Sequence, residues 1–309
     1  MARPKVAVII LTWNQKAMTH EQMEDVAKLD TKGLEVECVL TDNGSTDGTK
    51  ESFKGFSLPN MKFSYIDTGA NLGFAGGNNI GMKDVVRRGF DYIILMNNDL
   101  ILEKDLLVKL VSEAEKDKKI GILSPKMYFA KGYEFHKDRY KKEELGKVIW
   151  YAGGIIDRDN IYTAHRGVDE VDTGQYDKKE ETDVANGACV LIRREVVKDI
   201  GYMREKYFLY WEDAEYCERA RRVGWKVVYT PATHLWHKVS QASGIGSNLN
   251  DYFLTRNRLD FGMRYAKFRT KLALIKESIK LLITGREWQK IGVKDSFLMR
   301  FGKGSWGKK

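Results

Sequence analysis

Residues 92–99 read Tyr92-Ile93-Ile94-Leu95-Met96-Asn97-Asn98-Asp99. Five consecutive apolar side chains followed by two amides and a carboxylate have the form of a strand buried on both faces that ends in a polar loop. In open α/β sheets, ligands bind just beyond the carboxyl ends of the strands. A carboxylate placed there can hold a hard divalent cation through oxygen. A cation in that position can in turn hold a diphosphate, so the stretch points to a protein that handles a nucleotide.

The chain around it alternates strand and helix. Strand patterns occupy Val6 to Leu11, Val36 to Leu40, Lys62 to Ile66 and Ile120 to Leu123. Helical patterns fill Gln15 to Leu29, a short turn capped by Asp47, Ala75 to Arg88 before Gly89, and Glu103 to Lys118. This βαβα order predicts an α/β fold, a Rossmann-like, mostly parallel sheet flanked by helices. The middle is less regular. Residues 131–147 form a Lys/Glu-rich loop or helix, Ile149 to Ile156 a strand pair, and 157–182 a polar, turn-rich run. Val184 to Ile192 has the pattern of a buried strand, Arg194 to Ile200 of a short helix, Glu212 to Val223 of a helix stopped by Gly224, and Trp225 to Tyr229 of a further strand. Leu249 to Ile283 is helical with an interruption near 268–270, and no pattern marks the tail after Gly285. With no repeat and no linker, the expected organisation is one α/β domain over 1–245 with a basic helical C-terminal extension over 246–309.

Four loops should meet at the carboxyl edge of the sheet: Thr12-Trp13-Asn14, Asp42 through Thr49, Asn71 through Asn79, and Asn97-Asn98-Asp99. Glycine permits close backbone approach, and amides and hydroxyls can bind a base, ribose or phosphate. Turns favour the same residues on their own account, so the weight lies in four such loops following successive strands. Neither a Walker loop nor a GxGxxG fingerprint is present, which argues against an ATPase or a dinucleotide dehydrogenase.

A second segment, Phe208 through Arg219, turns from aromatic to acidic at Glu212-Asp213. Carboxylates at a helix start are favoured by the helix dipole alone. The functional reading is a carboxylate beside an aromatic wall that takes a proton from a substrate hydroxyl. In the segment His234 through Ser240, two histidines lack the partner set of a zinc site, but one could complete a cation site with Asp99.

The formal charge of +9 is unevenly spread: residues 241–309 hold 15 Lys/Arg against 5 Asp/Glu. An anionic membrane surface, a lipid-phosphate acceptor and a merely solvated helix face all fit this bias. No nucleic-acid-binding motif accompanies it. Leu272, Leu274, Ile275, Ile279, Leu282 and Ile283, flanked by Lys271, Lys276 and Lys280, fit an interfacial helix, a homodimer contact or core packing equally well. Arg256, beside Tyr252, Asn257 and Arg258, could reach a phosphate. The absence of an 18-residue apolar run and of a disulfide framework among Cys38, Cys189 and Cys217 leads to the expectation of a cytoplasmic protein, peripheral on a membrane if the basic segment binds one.

These segments together resemble the inverting family-2 glycosyltransferases of the GT-A fold, and in particular their rhamnosyltransferase-like branch. The resemblance runs from about Val6 to Arg258. It is carried by the four loops, Trp150 through Gly154, Asn186-Gly187-Ala188, Glu212-Asp213 and His237. It implies that Thr12, Asn14 and Asp42 contact a nucleoside and that Gly76, Gly77 and Asn78 line the donor pocket, with Asn71, Asn97 and Asn98 beside them. It implies that Asp99 binds Mg2+ or Mn2+ with His237 as a further ligand, and that Asp213 is the general base with Glu212 next to it. Asn97 departs from the family pattern by standing where a DxD motif has its first Asp, and Glu215 replaces a frequent Asp. The implied donor is a dTDP- or UDP-linked sugar such as rhamnose, and the acceptor a glycan or lipid-linked glycan. A processive synthase would add membrane spans and a QxxRW motif. A sugar nucleotidyltransferase would carry a basic Gly-rich loop after strand one, and a non-catalytic nucleotide-sugar binder would differ only in turnover.

Overall fold

The computed structural model describes residues 3–239 and 247–307. The expected boundary at 245/246 and Ser240 of the histidine segment lie outside them. The first half runs β1 (Lys5–Thr12), α1 (Lys16–Val26), β2 (Glu35–Asp42), α2 (Thr49–Ser52), β3 (Lys62–Asp67), α3 (Gly73–Arg87), β4 (Tyr92–Met96) and β5 (Leu100–Leu102). There follow α4 (Leu106–Glu115), β6 (Ile120–Phe129), β7 (Ile149–Tyr151), β8 (Gly154–Asp157), β9 (Tyr162–His165), β10 (Glu180–Glu181), β11 (Cys189–Arg193), α5 (Arg194–Ile200), α6 (Glu212–Arg222) and β12 (Lys226–His237). The C-terminal segment folds as α7 (Asn248–Tyr265), α8 (Phe268–Thr284) and α9 (Glu287–Phe297).

The main sheet has the order β10-β12-β6-β11-β4-β1-β2-β3. β1 to β4 pair in parallel, and so do β6 and β12; β11 runs antiparallel between β4 and β6. Alternation along the strands explains the two apolar layers. Val6, Val8 and Ile10 of β1, with Tyr92, Ile94 and Met96 of β4, join a core that includes Met23 and Val26 of α1 and Leu106 and Leu110 of α4. Ala7, Ile9, Ile93 and Leu95 face the other way, onto Met82 and Val85 of α3 and Tyr216 and Ala220 of α6. Helices therefore cover both faces, as the βαβα pattern predicts.

Several sequence expectations need correction. The stretch 149–156 is two strands that do not pair with each other: β7 adds to β6, while β8 forms a separate hairpin with β9. Residues 184–188 are buried loop, and the strand starts only at Cys189. β12 continues past Tyr229 to His237, because a register shift between Thr230 and His234 accommodates Pro231. The unmarked tail contains α9, at whose start Gln289 Oε1 accepts from Arg286 N at 2.9 Å.

A third apolar cluster joins the C-terminal helices to the rest. Leu259, Phe261, Leu274 and Val293 pack with Ile156, Ile161, Tyr207, Trp211 and Ala214. α7 thus rests directly on the loop that leads into α6.

Candidate active site

Strand register brings Asp99 and His237 together. β5 lies antiparallel to β12 with Leu100 opposite His237, and Lys238 N donates to Asp99 O at 2.9 Å. The ring Nε2 of His237 lies 3.0 Å from Asp99 Oδ1. Both side chains are largely buried; His237 Nδ1 has no hydrogen-bond partner, and Asp99 Oδ1 has none beyond this contact with Nε2. Orphaned buried groups of this kind are costly and call for a ligand or ion. Among the described residues no cluster of three or more acidic, His or Cys side chains forms a metal cage. A two-ligand protein site suits Mg2+-type binding, in which substrate phosphates and waters complete the coordination.

Glu212 and Asp213 open α6 in the same cleft. The preceding loop is conformationally demanding: Phe208, Tyr210 and Trp211 have φ of 63°, 66° and 73°. Each such residue costs about 1–3 kcal/mol and persists only where its surroundings over-determine it. Here α7 supplies the surroundings. Asn257 Nδ2 donates to the carbonyls of Tyr207, Leu209 and Tyr210 at 2.8–2.9 Å. Arg256 donates to Tyr207 O at 3.0 Å and to Gly302 O at 2.8 Å. Arg256 is fully buried, its guanidinium flanked by the Tyr252 and Phe253 rings. The expectation that it reaches a phosphate therefore fails, since it is consumed in bracing the loop.

Asp213 is partly open to the cleft, and its carboxylate accepts from Ala214 N at 2.7 Å and Gly187 N at 3.4 Å. Glu212 is buried, with Oε2 unpartnered. Burial raises both carboxyls above the usual range, and the Asp213 charge raises Glu212 further. The two backbone donors and the greater exposure place the shared negative charge on Asp213.

The loop 186–188 links the two carboxylate centres. Asn97 N donates to Ala188 O at 2.8 Å, one residue from the amide that faces Asp213. A side chain on Gly187 would meet the Phe74 ring at 3.2 Å, a tight contact that the ring would have to yield to. The resulting cleft holds about 420 Å³ and is lined by Asn97, Asp99, His237, Glu212, Asp213 and Trp150, among others.

One lining residue has no counterpart in the sequence reading. His165, at the end of β9, accepts from Asn186 Nδ2 at Nε2 (3.0 Å) and, in the tautomer this requires, donates from Nδ1 to Trp150 O (3.0 Å). Burial holds its pKa down at about 4, so it is neutral at ordinary pH. The Trp150 ring stands edge-on between the rings of His165 and His237, with centroids 4.7 and 4.3 Å away. No spacing or composition signal marks His165 within the polar run 157–182.

The loops after β1 to β3 do meet at the same sheet edge, but several of their candidate residues are occupied with packing. Thr12 is buried against Thr19 at 2.7 Å, and Asn98 Nδ2 donates to both hydroxyls at 3.3 and 3.0 Å. Gly76 and Gly77 lie inside α3, where a Cβ would strike Leu72 at 2.8 Å and Leu11 at 2.4 Å. Asn78 is buried and donates to Phe74 O at 3.0 Å. These side chains set the loops rather than face the cleft. Asn71 accepts from Gly73 N and Asn43 Nδ2 at 2.9 and 3.2 Å. Asp42 accepts from Ser45 N at 2.8 Å and from the Tyr65 hydroxyl. Asn14, exposed and at φ 52°, accepts from Thr46 N at 2.7 Å.

Comparison with known proteins identifies the family and the fold. The family model described as "Glycosyltransferase like family 2" matches residues 4–259. The low-salt glycan biosynthesis hexosyltransferase Agl10 of Haloferax volcanii is 26% identical over 209 residues, covering 66% of this chain and 60% of the relative. The N-acetylglucosaminyl-diphospho-decaprenol L-rhamnosyltransferase of Mycobacterium tuberculosis is 26% identical over 220 residues, covering 68% of each chain. Among solved structures, a Pyrobaculum calidifontis mannosyltransferase in complex with GDP-Man and Mn2+ superposes with a TM-score of 0.55 at 14% identity, covering 99% of this chain and 76% of that one. S. aureus TarS in complex with UDP-GlcNAc gives 0.58 at 14% identity, covering 94% of this chain and 79% of that one. These two likenesses establish the fold.

Proposed function

The chain belongs to the glycosyltransferase like family 2, and from that premise we propose that it is an inverting, metal-assisted transferase that moves one sugar from a nucleoside diphosphate to a hydroxyl of a glycan. The observation that carries this is the shared cleft: the Asp99–His237 pair, with His237 Nδ1 unbonded, and the Glu212–Asp213 pair line one cavity of about 420 Å³. Asp99 Oδ1 and His237 Nε2 are the groups that would hold Mg2+ or Mn2+. When bound, the cation neutralises charge developing on the diphosphate.

The remaining chemistry belongs to the chain's own residues. The Asp213 carboxylate takes the proton of the acceptor hydroxyl as that oxygen attacks the anomeric carbon, and the diphosphate leaves from the opposite face. Glu212, kept protonated by burial and by its neighbour, leaves the base as a single charge. Neutral His165 and Trp150 fix the His237 ring without adding positive charge. Asn14, in the loop after β1, and Asp42, the last residue of β2, form the nucleoside side of the site.

The mycobacterial relative is named for rhamnosyl transfer to a diphospho-decaprenol carrier. That supports rhamnose, on dTDP or UDP, as the first donor to test and a lipid-linked glycan as the first acceptor. Such an acceptor places the protein at the cytoplasmic membrane face. Among the described residues no helix is long and apolar enough to cross a membrane.

Asp213→Asn tests the reading. Removing a general base typically lowers turnover by ~10²–10⁴-fold, and nucleotide affinity by calorimetry should stay at the wild-type value. Turnover that survives the substitution contradicts the assignment.

A further inference from the structure

α8 has two apolar faces, and only one of them is used. Leu274 packs into the third core cluster, Ser278 is buried beside it, and Glu277 turns inward to pair with Arg258 at 2.7 Å. The opposite face carries Phe268, Leu272, Ile279 and Ile283, which are 77%, 49%, 55% and 71% exposed. With Ile275 and Leu282 they form a stripe spanning roughly 100° of the helix surface at 3.6 residues per turn. The apolar surface continues onto neighbouring elements. A shallow groove of about 180 Å³ lies between Met263 of α7, Ile275 of α8, and Phe297 and Met299 at the end of α9. Met299 is 78% exposed.

The charges around this surface are sorted. Lys267, Arg269, Lys276 and Lys280 are exposed, Lys271 is half-buried, and none has an ion-pair partner among the described residues. Four of the segment's five acidic residues are engaged elsewhere: Asp251 pairs with Arg286, Asp260 with Lys206, Glu277 with Arg258, and Asp295 bonds to the Tyr252 hydroxyl. An apolar stripe rimmed by unpaired cations has the form of a helix that lies in a membrane interface. A second copy of the chain suits it poorly, because an isologous contact would set one lysine rim against another.

We propose that the outer face of α8, with Met263 and Phe297–Met299, docks on an anionic lipid surface. Its use for catalysis rests on the glycosyltransfer reading above. The inner face of the same helix supplies Glu277 and Leu281 to a second cleft of about 360 Å³, which shares Thr163, Trp211 and Leu254 with the candidate active site. Docking therefore sets that cleft about one helix diameter, ~10 Å, from the bilayer, within reach of a sugar on a lipid-borne diphosphate.

Sedimentation of the full chain with vesicles of phosphatidylcholine, alone or mixed with phosphatidylglycerol, tests this. The expected result is binding to the mixed vesicles that weakens with salt. Ile279→Glu/Ile283→Glu and, separately, Lys276→Glu/Lys280→Glu should each lower it about tenfold or more. Both pairs are exposed, so melting temperature and nucleotide-induced stabilisation should be retained. Wild-type protein that ignores both vesicle types overturns the proposal. So do variants that bind as well as wild type, and so does light scattering that shows a dimer converted to monomer by the isoleucine variant. The transferase reading fails by a different result, turnover retained in Asp213→Asn.

Discussion

The two halves of the sheet edge differ in how their buried polar side chains are engaged. On the β1–β3 side, Asn43 joins two loops by accepting from Leu72 N at 3.0 Å and donating to Asn71 and to Gly73 O at 3.2 and 3.1 Å. Thr12 and Thr19 bond to each other at 2.7 Å and are joined from the loop after β4 by Asn98 Nδ2. On the β4–β12 side, Asp99 Oδ1 meets only His237 Nε2, at 3.0 Å, and His237 Nδ1 and Glu212 Oε2 are buried without hydrogen-bond partners. Polar composition marks both regions as loops, and the buried carboxylates and imidazole that line one cleft are what support the second as the proposed site.

The comparison breaks most visibly at the level of turnover. Asp213→Asn should cost ~10²–10⁴-fold in rate at nearly unchanged stability. Asn43→Ala should do the reverse, leaving buried backbone groups unpaired at about 1–3 kcal/mol, read as a lowered denaturant midpoint. Equal effects of both on rate would erase the distinction between the regions.

The brace from α7 sharpens it. Asn257→Ala removes the amide that donates to three carbonyls of a loop with three positive-φ residues. The expected outcome is a loss of about 2–3 kcal/mol in stability together with a lower kcat, because Glu212 and Asp213 follow directly on the loosened loop. A stability loss with kcat intact would mean that the loop conformation does not set the carboxylates.

A smaller effect concerns pH. The Glu212 carboxyl has a folded-state pKa above its unfolded value. Between those two values the folded state binds more protons than the unfolded one, so this group's contribution to stability declines as pH rises through that window. Glu212→Gln should therefore raise the melting temperature at neutral pH, and the gain should vanish at pH values below the ordinary glutamate range. A gain that is constant with pH would show that Glu212 is ionised in the folded protein.

Much of this was legible in the sequence because local pattern and tertiary role coincide. Tyr92–Met96 is apolar at every position and buried at every position. Arg194–Ile200 begins and ends where its pattern does. The acidic start of α6 and the carboxylate after β4 could likewise be placed at helix and strand ends. Where pattern and role part, the reading fails for identifiable reasons. Pro231 looks like a strand terminator, and only a register shift against β6 shows that β12 continues to His237. The glycines of α3 look like a ligand loop, yet Gly77 is needed for contact with Leu11. Arg256 has the charge for a phosphate, but carbonyl groups distant in sequence capture it. α9 has a weak periodic signal because it is held by tertiary contacts, with Val293 and Asp295 buried. In α8, six apolar residues fit membrane, dimer and core alike in the sequence, and exposure separates Leu274 from the rest.

The central claim is that the Asp99–His237 pair is the donor-side anchor of the cleft that Asp213 serves. A thermal-shift panel tests it most directly: UDP, dTDP, GDP and CDP, each with Mn2+, Mg2+ or a chelator, on wild type, Asp99→Ala and Asp213→Asn. Ligands that bind the native state raise its stability by mass action. The account predicts that one nucleotide stabilises wild type only when metal is present, that Asp213→Asn keeps this shift, and that Asp99→Ala loses it. A full, metal-dependent shift in Asp99→Ala would contradict the claim.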